Sequence, residues 1–231
     1  MALLSTLMIS FLKNSTMSKY IIKTFKGIKY YCVFPQKFDY HKVYPLVIYL
    51  HGAGEREKIS DIRIRGLLYE VDNGLNLDCI IIAPFCEGLK TWFDYAERLI
   101  QLVDIYRHKE YVDINKVSVT GISMGGFGTW HLGMAHPEWF SAIAPVCGGG
   151  YSWNVKMLKY VKVWTFHGNK DTTVPYVNTK IIVHQAKEEG VSIKFTTYKN
   201  WDHNVWEPTY KNKKVTSWLI SQVRNEKYGN I

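Results

Sequence analysis

Stretches in which every position is apolar alternate along this chain with stretches whose apolar positions recur every three or four residues. Pro45–Leu50 (PLVIYL), Cys79–Ala83 (CIIIA), Val117–Thr120, Ala142–Val146 and Val161–Phe166 are of the first kind. Short, continuous apolar runs suit strands buried on both faces of a parallel sheet. Within Tyr95–Tyr106, Leu99, Leu102, Val103 and Tyr106 keep a helical spacing, and Val177–Glu189 is amphipathic and stops at Gly190. Ile193–Tyr198 predicts a last strand and Lys214–Glu226 a last helix. At the other end, Tyr20–Phe25 and Ile28–Phe34 flank Lys26-Gly27, the signature of a hairpin. Strands and helices in alternation predict one α/β domain: a mostly parallel central sheet flanked by helices, preceded by an antiparallel hairpin. There are no internal repeats and no low-complexity linker.

Composition agrees with a single packed domain. The 231 residues are 47% hydrophobic and 15% aromatic, which excludes a disordered chain. The formal charge of +9 comes mostly from scattered lysines. No Lys/Arg run is interleaved with aromatics, so nucleic acid is not expected as a partner. Cys32, Cys79, Cys86 and Cys147 lack metal-ligand spacing and form no dense disulfide framework; Cys79 and Cys147 read as small buried hydrophobes. Ala2–Leu12 is apolar but has no basic segment before it, no small-residue cleavage site after it, and is too short to span a bilayer. Met17-Ser18-Lys19 resembles a natural start. Residues 1–16 are therefore expected to be a disordered or non-native extension, residues 17–231 the functional domain, and the protein cytoplasmic with no membrane partner.

Candidate chemistry centres on Gly121-Ile122-Ser123-Met124-Gly125, which follows the run Val117-Ser118-Val119 and precedes the helical-looking Thr129–Ala135. Strand, G-x-S-x-G and helix in that order predict a nucleophile elbow. The flanking glycines would let backbone and Oγ approach a substrate. A serine hydroxyl needs a base to take its proton and an acid to orient that base. In open-sheet hydrolases the order along the chain is Ser, then Asp or Glu, then His. Asp171 lies just beyond Val161–Phe166, on the sheet edge where such folds place their sites, although it would also serve as a cap for Thr172–Pro175. His203 lies just beyond Ile193–Tyr198; His184 falls mid-helix and Asp202 is a neighbouring, less well-directed acid. Backbone donors for an oxyanion are expected from Met124, which opens the elbow helix, and from Ala53, with Gly54 the adjacent alternative. His51 reads as a packed residue that orders the same loop.

Together, the segments HGAGE (from His51), GISMGG (from Gly121), HGNKD followed by TTVP (from His167) and WDHNVW (from Trp201) resemble the α/β-hydrolase superfamily. The resemblance is to its esterase branch, which includes dienelactone hydrolase-like proteins, feruloyl esterases, polyhydroxybutyrate depolymerases and prolyl-oligopeptidase-like predicted peptidases. It spans from about residue 30 to residue 222. It implies a nucleophile at Ser123, an acid at Asp171, a base at His203, oxyanion donors at Ala53 and Met124, and no cofactor or metal. The chain departs from the pattern at Asp202, where the family often has Gly, so the turn at that loop is not carried over.

Only Cys147–Tyr160 separates Val146 from Val161, too few residues for a helical cap. The expected site is therefore open. Trp92, Trp153, Trp201 and Trp206 fall in or beside loops of the active edge and, with Gly54, are candidate substrate contacts. The reading is a serine esterase acting on aryl or short-acyl esters, such as hydroxycinnamoyl or acetyl esters of plant-wall carbohydrate. The alternatives are a prolyl-oligopeptidase-like serine peptidase, for which the chain lacks the length of a propeller domain, and a non-catalytic binding protein of the same fold.

Overall fold

Residues 19–225 are described by a computed structural model of the chain. The extension expected over residues 1–16 and the alternative start at Met17 lie outside them. β1 (Lys19–Phe25) and β2 (Ile28–Phe34) pair antiparallel from Lys19↔Phe34 to Phe25↔Ile28. Their two connecting residues both take positive φ, Lys26 at 45° and Gly27 at 81°. That turn geometry matches the twist of an antiparallel pair.

β2 continues antiparallel onto β4 (Ile80–Pro84). From there the sheet is parallel: β3 (Tyr44–Leu50), β5 (Val112–Ile122), β6 (Ala142–Val146), β7 (Lys162–Gly168) and β8 (Ile193–Tyr198), giving the order β1-β2-β4-β3-β5-β6-β7-β8. β3, β4 and β6 are apolar throughout because both faces are covered. In β3, Leu46, Ile48 and Leu50 enter one core while Val47 and Tyr49 enter the other, and none of the five is more than 1% exposed. The first core receives Trp92 and Leu99 from α2 (Trp92–Arg107), Trp130 and Leu132 from α3 (Met124–Ala135), and Ile182 from α4 (Val177–Glu188). The second receives Leu67 and Leu68 from α1 (Gly66–Asp72), Tyr210 from α5 (Trp206–Lys211), and Val215 and Leu219 from α6 (Lys213–Ser221).

The differences from expectation lie at short or terminal elements. α1 and α5 are short helices that hydrophobic periodicity does not reveal. The last helix stops at Ser221 rather than continuing toward residue 226. Gln222 turns to extended backbone, and beyond it Arg224 donates its N–H to Asn115 O (2.7 Å) and its guanidinium to Glu138 O (2.9 Å), tying the segment after the helix to β5 and to the turn before β6. Between β6 and β7 the chain makes one 3-10 segment, Ser152–Leu158, and no cap. All four cysteines are buried and unbridged. Among the described residues no helix is long and apolar enough to cross a membrane.

Candidate active site

Ile122 closes β5 and Met124 opens α3, which leaves Ser123 between them at φ 53°, ψ −116°. Such a backbone costs a non-glycine residue about 1–3 kcal/mol and persists only where its surroundings over-determine it. Here they do. Ser123 N–H donates to Val146 O at the end of β6 (2.9 Å), and Ser123 O accepts from Phe127 N–H (3.1 Å). The flanking glycines serve packing rather than substrate approach. A Cβ on Gly121 would stand 2.5 Å from Gly125 O and 2.6 Å from Leu50 O, and one on Gly125 would overlap Leu50 O. The elbow is therefore wedged against the end of β3.

Asp171 sits in the turn after β7. Its Oδ1 accepts the N–H groups of Thr173 (3.0 Å) and Val174 (2.8 Å), so this oxygen caps the turn. Its Oδ2 faces His203 Nδ1 at 2.7 Å, and His203 Nε2 lies 2.8 Å from Ser123 Oγ. A carboxylate only accepts, so Nδ1 carries the imidazole proton and Nε2 is left to accept from the serine hydroxyl. The Asp171 side chain is fully buried, whereas His203 keeps 16% exposure. The three residues that the sequence singled out thus form one hydrogen-bonded chain. Asp202 does not join it. Its Oδ1 accepts from Thr172 N–H (2.8 Å), which draws its carboxyl below the ordinary aspartate value and clasps the two loops together. His184 lies on α4, away from these residues' hydrogen bonds.

The loop after β3 passes beside Ser123: a Cβ placed on Gly52 would come within 3.5 Å of Ser123 Cβ. Ala53 then begins a 3-10 turn, Ala53–Glu55, and Met124 supplies the first N–H of α3, where helix donors lack intrahelical partners. His51 holds this loop from beneath. It is wholly buried, its Nε2 accepts from Cys86 N–H (2.9 Å), and its Nδ1 donates to Gly52 O (2.7 Å). Burial lowers it to about 4, so it is a neutral strut. Glu55, also buried, is pushed up by burial and partly offset by Arg65, whose Nε lies 2.8 Å from Oε1.

The four tryptophans separate. Trp92 is 2% exposed and its indole N–H donates to His51 O (3.0 Å). It belongs to the core and the loop scaffold, which corrects its assignment as a substrate contact. The others keep exposure: Trp153 lies against Tyr151 (ring centroids 4.9 Å), Trp201 is 38% exposed, and Trp206 stands edge-on to His203 (5.5 Å). Gly54 is exposed beside Arg65.

His167, a residue not singled out from the sequence, completes the picture. It ends the buried run of β7, and its Nε2 lies 3.0 Å from Asp171 Oδ2 and 2.9 Å from Val174 O. Both partners accept, so Nε2 carries a proton, and burial lowers the ring's basicity. The Thr179 hydroxyl stands 2.8 Å from both His167 Nδ1 and Gly148 O. The signal available in the sequence was a histidine four residues before the acid, masked by its place inside an apolar strand.

No protein-family model and no curated protein matches the chain. Solved structures do. A thermostable esterase is 30% identical with a TM-score of 0.73 over 93% of this chain, which spans 64% of that esterase's length. The feruloyl esterase module of Clostridium thermocellum, solved as a serine-to-alanine mutant with sinapinate, is 15% identical with a TM-score of 0.70, covering 93% of each chain. Dipeptidyl peptidase 4 of Porphyromonas gingivalis is 14% identical with a TM-score of 0.69, covering 91% of this chain and 36% of that one. The fold shared with these proteins is the α/β-hydrolase fold.

Proposed function

We propose that this chain of the α/β-hydrolase fold is a serine carboxylic ester hydrolase that works through an acyl-enzyme. The observation that carries the reading is the chain of contacts Asp171 Oδ2–His203 Nδ1 (2.7 Å) and His203 Nε2–Ser123 Oγ (2.8 Å). In this reading His203 takes the Ser123 proton as Oγ attacks the ester carbonyl, and Asp171 stabilises the imidazolium that forms. The Ala53 and Met124 N–H groups receive the developing oxyanion, a contribution of about 3–4 kcal/mol per donor in comparable enzymes. His203 then protonates the departing alkoxide. Water activated by the same imidazole hydrolyses the acyl-enzyme and restores Ser123. These steps draw on no metal or organic cofactor.

The proposed substrates are aryl or short-acyl esters, among them hydroxycinnamoyl and acetyl esters of plant-wall carbohydrate. The likeness to a thermostable esterase and to a feruloyl esterase module holding sinapinate supports that class, as does the absence of a cap between β6 and β7. Exposed Trp153 and Trp201 offer flat surfaces for a bulky ester.

Replacing Ser123 with Ala tests the reading. Hydrolysis of p-nitrophenyl acetate is expected to fall by about four to six orders of magnitude, with loss of fluorophosphonate labelling. Full activity in Ser123→Ala would sink the proposal. Faster turnover of a peptide anilide than of the ester by the unaltered protein would replace esterase with peptidase.

A further inference from the structure

The reaction proposed above makes no use of Glu55, a buried acid in the same loop as Ala53. Glu55 closes the 3-10 turn Ala53–Glu55, is 1% exposed, and its Oε2 is buried with no hydrogen-bond partner. Leaving such an oxygen unsatisfied costs stability, and a group of this kind in a folded protein calls for an explanation. Its position supplies one. Oε2 stands 3.9 Å from His51 Nδ1, and a Cβ on Gly52 would lie 3.0 Å from Oε2 and 3.5 Å from Ser123 Cβ. The Glu55 carboxyl and the Ser123 side chain therefore close on the same side of Gly52.

The peptide group that joins Gly52 to Ala53 carries the proposed oxyanion donor. In a trans peptide C=O and N–H point in opposite directions. His51 Nδ1 donates to the Gly52 carbonyl (2.7 Å), so the Ala53 N–H is turned away from His51. The next carbonyl, Ala53 O, accepts from Arg56 Nε (2.8 Å). Glu55 fixes the far end of the turn. Its Oε1 lies 2.8 Å from Arg65 Nε, and Arg65 Nη1 would stand 3.5 Å from a Cβ on Gly54, so one guanidinium spans Gly54 and Glu55 together. Arg65 is itself held: its carbonyl accepts from the Tyr49 hydroxyl (3.3 Å). The following Gly66, at φ 70°, lies so close to that hydroxyl that a Cβ would overlap it. Tyr49 belongs to β3. The link thus runs from the sheet through Arg65 and Glu55 to the loop that leaves the same strand.

We propose, resting on the ester-hydrolase reading, that Glu55 and Arg65 are positioning residues that hold the Ala53 N–H on the oxyanion. Arg65 also neutralises a carboxylate that would otherwise oppose the negative charge developing beside Ser123. Both act through the turn rather than on the substrate. An apolar residue at position 55 could fill the space but not fix the direction of the turn, because packing lacks the directionality of a charge-assisted N–H···O contact.

The test is steady-state hydrolysis of p-nitrophenyl acetate, with thermal midpoints measured alongside. Glu55→Ala is expected to lower kcat about ten- to a hundredfold with KM within about twofold, because a displaced donor is missed by the transition state and not by the bound ester. Affinity for phenylboronic acid, whose tetrahedral adduct on Ser123 puts an oxygen in the same place, should fall by the same factor. Glu55→Gln keeps the shape and an acceptor for Arg65, and should recover most of both. Arg65→Ala removes a side chain that is 41% exposed and strands the carboxylate. It should lose about tenfold in kcat, and combining it with Glu55→Gln, whose neutral amide needs no counterion, should regain most of that. Should Glu55→Ala fail to fold, Arg65→Ala and the double variant decide. A kcat within about twofold of the unaltered protein in these variants overturns the proposal, as does a loss confined to KM or one that merely follows the thermal midpoint. If the unaltered protein cleaves no ester and takes no fluorophosphonate label, the hydrolase reading fails and this inference falls with it; if it does both, the variants judge the inference alone.

Discussion

Three histidines stand at the active edge of the sheet, and they divide into two environments. His51 directly follows β3 and His167 lies near the end of β7, and each has a fully buried side chain with partners at both ring nitrogens. His203 lies in the loop after β8, with 16% of its side chain exposed and Nε2 turned to Ser123. Burial suppresses the charged form of the first two. A histidine that must gain and lose a proton in every cycle needs water within reach and one nitrogen free of permanent partners. The two fixed rings do a different job: His51 holds the loop carrying Ala53, and His167 holds Asp171. One residue type serves as a strut where its ring is wholly buried, and in the proposed mechanism as a base where its ring keeps some exposure.

The largest effect expected from breaking this division is at the exposed ring. His203→Ala should lower kcat/KM on p-nitrophenyl acetate by about 10⁴-fold or more while leaving the thermal midpoint nearly unchanged. A loss of less than tenfold would show that another base acts. His167 should respond in the opposite sense, with a smaller loss of activity and a real loss of stability. Its N–H shares Asp171 Oδ2 with His203 (3.0 and 2.7 Å). In His167→Phe that oxygen loses its second anchor, and activity at neutral pH should drop about ten- to a hundredfold. His167→Gln, which retains a donor toward Asp171, should recover most of it. Unchanged activity in His167→Phe would reduce His167 to packing alone.

Much of this site was legible because it follows strand ends. Ser123, Asp171 and His203 each come within a few residues of an apolar run, so chain order and sheet polarity together place them on one edge. The central strands could be read because runs buried on both faces have no polar alternation to blur them, whereas the hairpin was legible from its Lys26-Gly27 turn, and the polar first half of β5, Val112–Lys116, was not read. What was not legible depends on side-chain direction or on long-range contact. Trp92 opens α2 beside the active edge, but only the fold shows that its ring turns inward beneath His51 O. His167 looks like any polar residue closing a strand until the turn at Val174 brings Asp171 back to it. α6 ends where Arg224 finds Asn115 and Glu138, residues about a hundred positions away.

The smallest expected effect concerns Asp202, the acid adjacent to the base. Its carboxylate accepts from Thr172 N–H (2.8 Å), but it is one of several ties between the two loops. Lys170 N–H also reaches Trp201 O (2.9 Å), and Asn200 N–H reaches Asn169 Oδ1 (2.6 Å). With those intact, Asp202→Ala should reduce kcat only about two- to fivefold, the effect of one solvent-accessible hydrogen bond, and Asp202→Asn, which keeps an acceptor for Thr172, should recover most of it. KM should stay put, because the loop clasp sets the position of His203 rather than contacts to substrate. If instead Asp202→Ala matched His203→Ala, the imidazole would be taking its orientation from Asp202 during turnover, and the buried pair Asp171–His167 would be scaffold for the turn rather than for the base.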